Sequence, residues 1–208
     1  MENISTQTDI NSKYLLHRFL KYVQIESYSN STNADNGIQP STKSQWNFAN
    51  FLKDELKNLG ITDITLTEHC YLCARLPATP GFEHFPSVGF LAHMDGVEGV
   101  STLPVRPITI TTDTDDTIIK SSGDTILSAD DKAGVAIIIS AAQEILQNNI
   151  PHCQIELIFS PDEETGHGMD NVPLQWIQSK QCYTVDGGGL GEIEAECFNA
   201  YKSVVTFK

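Results

Sequence analysis

Residues 131–166 read DKAGVAIIISAAQEILQNNIPHCQIELIFSPDEETG, and this stretch decides the fold. Val135, Ile138, Ile139, Ala142 and Leu146 recur at helical spacing, which predicts an amphipathic helix from near Asp131 to about Asn148. The apolar run Gln154–Phe159 that follows is too short for a helix of that kind and reads as a buried strand. It opens directly onto Pro161-Asp162-Glu163-Glu164-Thr165-Gly166. A helix feeding a strand whose carboxyl end delivers acidic side chains is the repeating unit of an α/β domain, and in open α/β sheets ligands gather at those strand ends.

The pattern continues outward in both directions. Upstream, Ile61–Thr67, Cys70–Leu76 and Ser87–Ala92 read as strands, and residues 105–128 as two or three β segments joined by the acidic turn Asp113–Asp116 and the turn at Ser122-Gly123. Two helices precede them. Tyr14, Leu15, Phe19, Leu20 and Val23 share one face of the first, and Trp46, Phe48, Phe51, Leu52, Leu56 and Leu59 lie along the second, which stops at Gly60. Thr42 and Gln45 fit a capping box at its start, and Ser27–Thr42 reads as a loop. Downstream, Val172–Gln178 is expected to be helical and Cys182–Val185 to be a strand, with further β-type residues over Gly191–Lys208. The expectation is a three-layer α/β domain with a mixed, largely parallel sheet.

Composition removes several classes of function. The 208 residues carry 27 acidic and 13 basic side chains, a formal net charge of -14 that repels phosphate backbones, so no nucleic-acid partner is expected. The near-apolar run Ala133–Ala142 is far below the roughly 20 residues of a spanning helix, and the opening MENISTQTDI lacks a basic-then-apolar leader. Five scattered cysteines fit reduced thiols. No membrane partner and a cytoplasmic location are therefore expected.

Four successive strand exits carry His or carboxylate: His93-Met94-Asp95, Asp130-Asp131-Lys132, Glu163-Glu164 and Asp186-Gly187-Gly188-Gly189. Imidazole and carboxylate are the ligands of a hydrolytic zinc site, and two such ions share a carboxylate more readily than a neutral ligand. Asp95, two residues past His93 on an extended exit, either orients the imidazole or reaches the site beside it. Of the pair Glu163 and Glu164, which extended backbone points apart, one serves as a ligand and the other as general base. Singly, each cluster has an ordinary reading: a helix cap and dipole partner for Asp130-Asp131, a solvated pair for Glu163-Glu164, a turn for Asp186. Their joint occurrence carries the argument. Cys70 and Cys73 are read as packing residues, Asp113–Asp116 as a hairpin turn whose Ile118 excludes a calcium loop, and His167 as a surface histidine.

With FLAHMDG, LSADDKAGVA, FSPDEETGHG and YTVDGGGLGEIEAECFNA in place, together with RFLKYVQIES and PSTKSQWNFANFLKDELKNLG, the chain resembles the peptidase T family of tripeptide aminopeptidases within the di-zinc exopeptidase superfamily. The resemblance covers nearly the whole chain and implies a metallo-aminopeptidase that removes the first residue of short peptides. It implies two Zn2+ ions, His93 and Asp186 on the first, Glu164 on the second and Asp130 bridging both. Glu163 becomes the general base, Asp95 the supporting acid beside His93, and Asp130-Asp131 a cis peptide. It also implies that residues 1–190 form the N-terminal part of the catalytic domain, C-terminally incomplete. Residues 191–208 would then form a strand leading toward a lid domain, through which the complete enzyme forms a homodimer. A last histidine ligand and the lid would lie outside the chain, so the chain alone is expected to be weakly active or inactive. The departures are Gly96, where the family has Thr or a similar residue, and a shorter Asp95–Asp130 segment. A metal-dependent dipeptidase, an N-acyl amino acid deacylase and a non-catalytic metal-binding paralogue are the alternatives.

Overall fold

The computed structural model describes residues 3–98, 104–113, 116–189, 191–195, 203 and 205–207. The elements run α1 (Asn3–Tyr22), α2 (Ser31–Asp35), α3 (Ser44–Asn58), β1 (Asp63–Leu66), β2 (Leu72–Leu76), β3 (Val88–His93), β4 (Pro107–Thr111), β5 (Thr117–Ser121), α4 (Ala129–Gln147), β6 (Ile155–Ser160) and β7 (Gln181–Thr184). Five strands form one sheet in the order β1-β2-β6-β3-β7, and β4 pairs with β5 as a separate antiparallel hairpin. The sheet is mixed: β3 runs parallel to both β6 and β7, whereas β1–β2 and β2–β6 are antiparallel. The expected largely parallel sheet is therefore parallel only on one side.

Alternation along the strands sorts side chains to two faces. Leu72, Ala74, Leu76, Ala92, Ile155, Leu157 and Phe159 join the main core with Phe19 and Tyr22 of α1, Phe48 and Leu52 of α3, and Val135 and Ile139 of α4. Each fully buried large apolar side chain contributes about 1.5–3 kcal/mol through removal from water. Arg18 ties the three helices together through Glu55 (2.8 Å), Ser140 (2.7 Å) and Gln143 (2.6 Å). The opposite face carries Tyr71, Cys73 and Ile158, covered by Val172, Trp176 and Ile177. Cys70 and Cys73 thus serve opposite faces as packing residues, as expected.

Four local expectations are corrected. Residues 172–178 form turns and not a helix. Pro173 restricts Val172 to extended backbone, Trp176 lies against the Arg75 guanidinium, and the buried Glu156 carboxylate takes the N–H groups of Gln178 and Ser179. That coil segment occupies the place of the third layer. The Thr42–Gln45 capping box does not form: α3 begins after Lys43 with no side-chain cap. The 27–42 loop contains the short α2, capped by Asn30 accepting from the Asn33 N–H at 2.8 Å. Of the strand expected over 191–208, residues 191–195, 203 and 205–207 are not in a strand, and the remainder lie outside the described residues.

Candidate metal centre

The parallel pairing of β3 with its two neighbours brings their carboxyl ends to one edge. His93 is in register with Ser160 of β6. Leu91 is in register with Thr184 of β7, and the Val185 N–H donates to the Leu91 carbonyl at 2.8 Å. Asp186 therefore emerges beside His93, and Glu163 two residues beyond Pro161. The fourth contribution comes from the start of α4. Ser128 is in the left-handed region (φ 56), Asp130 and Asp131 have non-helical backbone, and the peptide between them is cis, as the resemblance implied.

This geometry gathers His93, Asp130 and Asp186: one ligand atom from each lies within 4.8 Å of the others. His93 Nε2 stands 2.8 Å from Asp130 Oδ1 and 3.8 Å from both Asp186 Oδ2 and Glu163 Oε2. Its Nδ1 lies 3.0 Å from the Asp95 carbonyl oxygen. A carbonyl can only accept, so Nδ1 carries a proton, and in the neutral ring the Nε2 lone pair faces the carboxylates. Two acceptor atoms 2.8 Å apart require a proton or a metal cation between them. Either Nε2 is protonated or a cation sits there, and a ring whose far nitrogen donates to a carbonyl is the form that ligates metals. The donor set thus fits a divalent ion.

Electrostatics point the same way. Burial alone would lower the pKa of His93, but the carboxylates of Asp95, Asp130 and Asp131 outweigh it and push the imidazole up to about 10. Burial, followed by repulsion between neighbouring carboxylates, raises Glu163, Glu164 and Asp186 above the usual carboxylate range. So much negative charge around one imidazole is relieved by a bound cation.

Two predicted residues take up positions other than those expected. Glu163 and Glu164 lie in a 3₁₀ turn, Glu163–Thr165, and not on extended backbone. Glu163 approaches His93, while Glu164 is not in the close His93–Asp130–Asp186 group. Asp95 is fully buried. Its carboxylate receives the N–H groups of Glu163 (3.0 Å) and Glu164 (3.1 Å), and its Oδ1 lies 3.4 Å from His93 Nδ1. It therefore shapes the Glu163–Glu164 turn as much as the imidazole. His167 sits between Asp170 (2.7 Å) and Asp35 (3.3 Å), away from the centre.

Sequence reasoning missed Asp131 and Lys132. Asp131 is buried, accepts the His93 N–H at 3.2 Å and the Gly134 N–H at 3.1 Å, and is pushed up to about 8, first by burial. Lys132 is buried too, with Nζ 2.5 Å from the Ile25 carbonyl oxygen and 5.1 Å from the Phe48 ring centroid. Burial lowers it to about 8, against the opposing charges of Asp95 and Glu26. Both look like ordinary first-turn residues in sequence, because a helix start is where charged side chains are normally solvated.

Comparison with known proteins adds independent findings. Residues 89–178 match the model of the peptidase family M20/M25/M40. The chain is 38% identical over 216 residues to Peptidase T of Alkaliphilus oremlandii, covering 90% of this chain and 52% of that protein. Among solved structures, a tripeptidase from Staphylococcus aureus and aminopeptidase PepT from Bacillus cereus each align with TM-score 0.67 at 28% identity. Each alignment covers 85% of this chain and 44% of the other. The chain spans about half the length of the relatives it matches. These matches meet the resemblance read from the four strand exits. Among the described residues, no helix is long and apolar enough to cross a membrane.

Proposed function

We propose that this chain carries the ligand-bearing half of a zinc-dependent aminopeptidase of the peptidase T type, acting on short peptides and above all tripeptides. The observation that carries the reading is the convergence of His93 Nε2 with Asp130 and Asp186, with the Glu163 carboxylate 3.8 Å from the same nitrogen. The relatives named Peptidase T and the tripeptidase structure support the substrate class.

In this reading His93 and Asp186 would hold one zinc, Glu164 would hold a second, and Asp130 would serve both. When bound, zinc supplies a Lewis acid that polarises the scissile carbonyl and eases deprotonation of water. Glu163, with its proton affinity raised by burial and its acidic neighbours, takes the proton from the attacking water and returns it to the leaving amine. Asp95 acts as the supporting acid: it holds the Glu163–Glu164 turn in place and, through its carbonyl, fixes the tautomer of His93. Residues 1–190 form part of the catalytic domain, and 191–208 lead toward a lid through which the complete protein dimerises. The setting is the cytoplasm.

The test is to incubate the zinc-loaded chain, at high concentration, with a tripeptide and with an N-acylated amino acid. Zinc-dependent release of the first residue of the tripeptide, slow in this chain and abolished in Glu163→Gln with zinc still bound, supports the assignment. Release from the N-acylated amino acid alone moves it to a deacylase. Tripeptide cleavage that persists undiminished in zinc-bound Glu163→Gln contradicts the role given to Glu163.

A further inference from the structure

Asp162 precedes the two glutamates, and its side chain points away from them. It is fully buried, with left-handed backbone (φ 55). Its carboxylate accepts three hydrogen bonds from residues more than a hundred positions earlier in the chain. Oδ1 takes the Ser41 hydroxyl at 2.5 Å and Gln45 Nε2 at 2.6 Å, and Oδ2 takes the Ser41 N–H at 2.8 Å. In return, the Asp162 N–H donates to Gln45 Oε1 at 3.2 Å. Among the described residues no Lys, Arg or His forms an ion pair with it.

A buried carboxylate without a counter-charge is costly, and Asn tolerates left-handed backbone at least as well. What Asn cannot supply is the pattern needed here, because every group facing the carboxylate is a donor. Bonds to an ionised acceptor are about twice as strong as neutral ones. The Glu163–Glu164 turn is therefore gripped from two sides. Asp95 holds its N–H groups, and Ser41 with Gln45 holds the residue from which it springs. Gln45, which leaves the start of α3 uncapped, is turned inward for this contact.

We propose that Asp162, clamped by Ser41 and Gln45, is a positioning residue that sets where Glu163 and Glu164 meet the His93–Asp130–Asp186 centre. The inference rests on the reading of that centre as a metal site.

Zinc affinity of the 208-residue chain, measured by competition with a chromogenic chelator, tests it in four variants. Asp162→Asn puts an amide NH2 among donors and should weaken zinc binding about tenfold, the lower end of what losing a residue behind the metal ligands costs. Combining Asp162→Asn with Gln45→Glu transposes the charge, so that the new carboxylate at position 45 accepts from the new amide at position 162. This double variant should return affinity to within about threefold of wild type. Phe19→Leu, a core change on α1, should lower the melting temperature and leave zinc affinity unchanged. If Asp162→Asn does not fold, Ser41→Ala, which keeps the Ser41 N–H bond and removes the hydroxyl bond, should still weaken binding. Wild-type affinity in folded Asp162→Asn, or in Ser41→Ala where the former does not fold, overturns the inference alone. So does a double variant no better than the single one. A wild-type chain that binds no zinc overturns the metal reading and the inference together.

Discussion

The carboxylate of Asp95 accepts the backbone N–H of Glu163 at 3.0 Å, joining the exit of β3 to the exit of β6. Because its second oxygen takes the Glu164 N–H at 3.1 Å, one side chain orients both acidic residues of the turn while its own carbonyl holds His93. Asp95→Asn keeps the shape but sets an NH2 against one of those N–H groups. A buried donor left without an acceptor costs about 1–3 kcal/mol, and zinc affinity should fall about tenfold or more. Urea unfolding and zinc titration of the variant check this, and unchanged values in both would exclude the role.

Gly134 sits where α4 passes the exit of β7. A methyl group there would overlap the Val185 carbonyl oxygen and the Asp131 carboxylate. The backbone oxygen cannot swing aside, so Gly134→Ala must push α4 away from the segment that carries Asp186. Overpacking of this kind costs about 1–3 kcal/mol or more, and the Asp130–Asp186 spacing should open with it. The expected result is a lower melting temperature together with weaker zinc binding. Weaker zinc binding should not accompany Ile137→Ala, at a half-exposed position on the same helix.

Without metal, the centre makes stability fall as pH rises from about 6 to about 8. His93, raised from 6.5 to about 10, contributes stability that is complete below 6.5 and is lost as pH climbs toward 10. Asp131, raised from 3.8 to about 8, works in the same direction because the folded state holds its proton more tightly than the unfolded one. Lys132, lowered from 10.5 to about 8, opposes this only above pH 8. Urea midpoints measured in a chelating buffer should therefore be lower at about pH 8 than at about pH 6. Saturating zinc should reverse the order, since ligands bind it deprotonated. A flat or rising metal-free profile would contradict the charge arrangement described above.

Burial pushes the thiols of Cys70 and Cys73 up to about 12. Since the thiolate is the reactive form, iodoacetamide at about pH 8 should leave both unlabelled in the folded chain and, among the described cysteines, reach Cys153 or Cys182 first. Peptide mapping by mass spectrometry reads the outcome. Early labelling of Cys73 would show that the face under Trp176 opens readily.

Much of this was legible in sequence because it is encoded locally. The helix carrying Val135, Ile138 and Ile139, the alternation of β2, and the acidic or histidine exits of β3 and β6 all follow from periodicity and from where a strand must end. What escaped depends on distant partners. Gln45 satisfies a local capping pattern, yet its amide is taken by Asp162, 117 residues away. Residues 172–178 have helix-compatible apolar spacing, yet Glu156 claims the N–H groups of Gln178 and Ser179 from the strand beneath. Asp131 and Lys132 read as solvated first-turn charges until β3 closes over the first and Ile25 and Phe48 over the second. Extended backbone would split the roles of Glu163 and Glu164 by pointing them apart. The structure splits them by a 3₁₀ turn instead, with Glu163 beside His93 and Glu164 outside the close group.

The most direct measurement is the zinc content of the purified chain after dialysis against limiting free zinc, read by elemental analysis alongside His93→Ala and Asp186→Asn. Convergence of these side chains on a cation requires at least one zinc per chain in the wild type, with the same site lost or weakened about a hundredfold or more in each variant, at least as much as losing a partner behind the ligands costs. A wild-type chain that retains no zinc while folded, or variants that hold it as tightly as the wild type, would contradict the account.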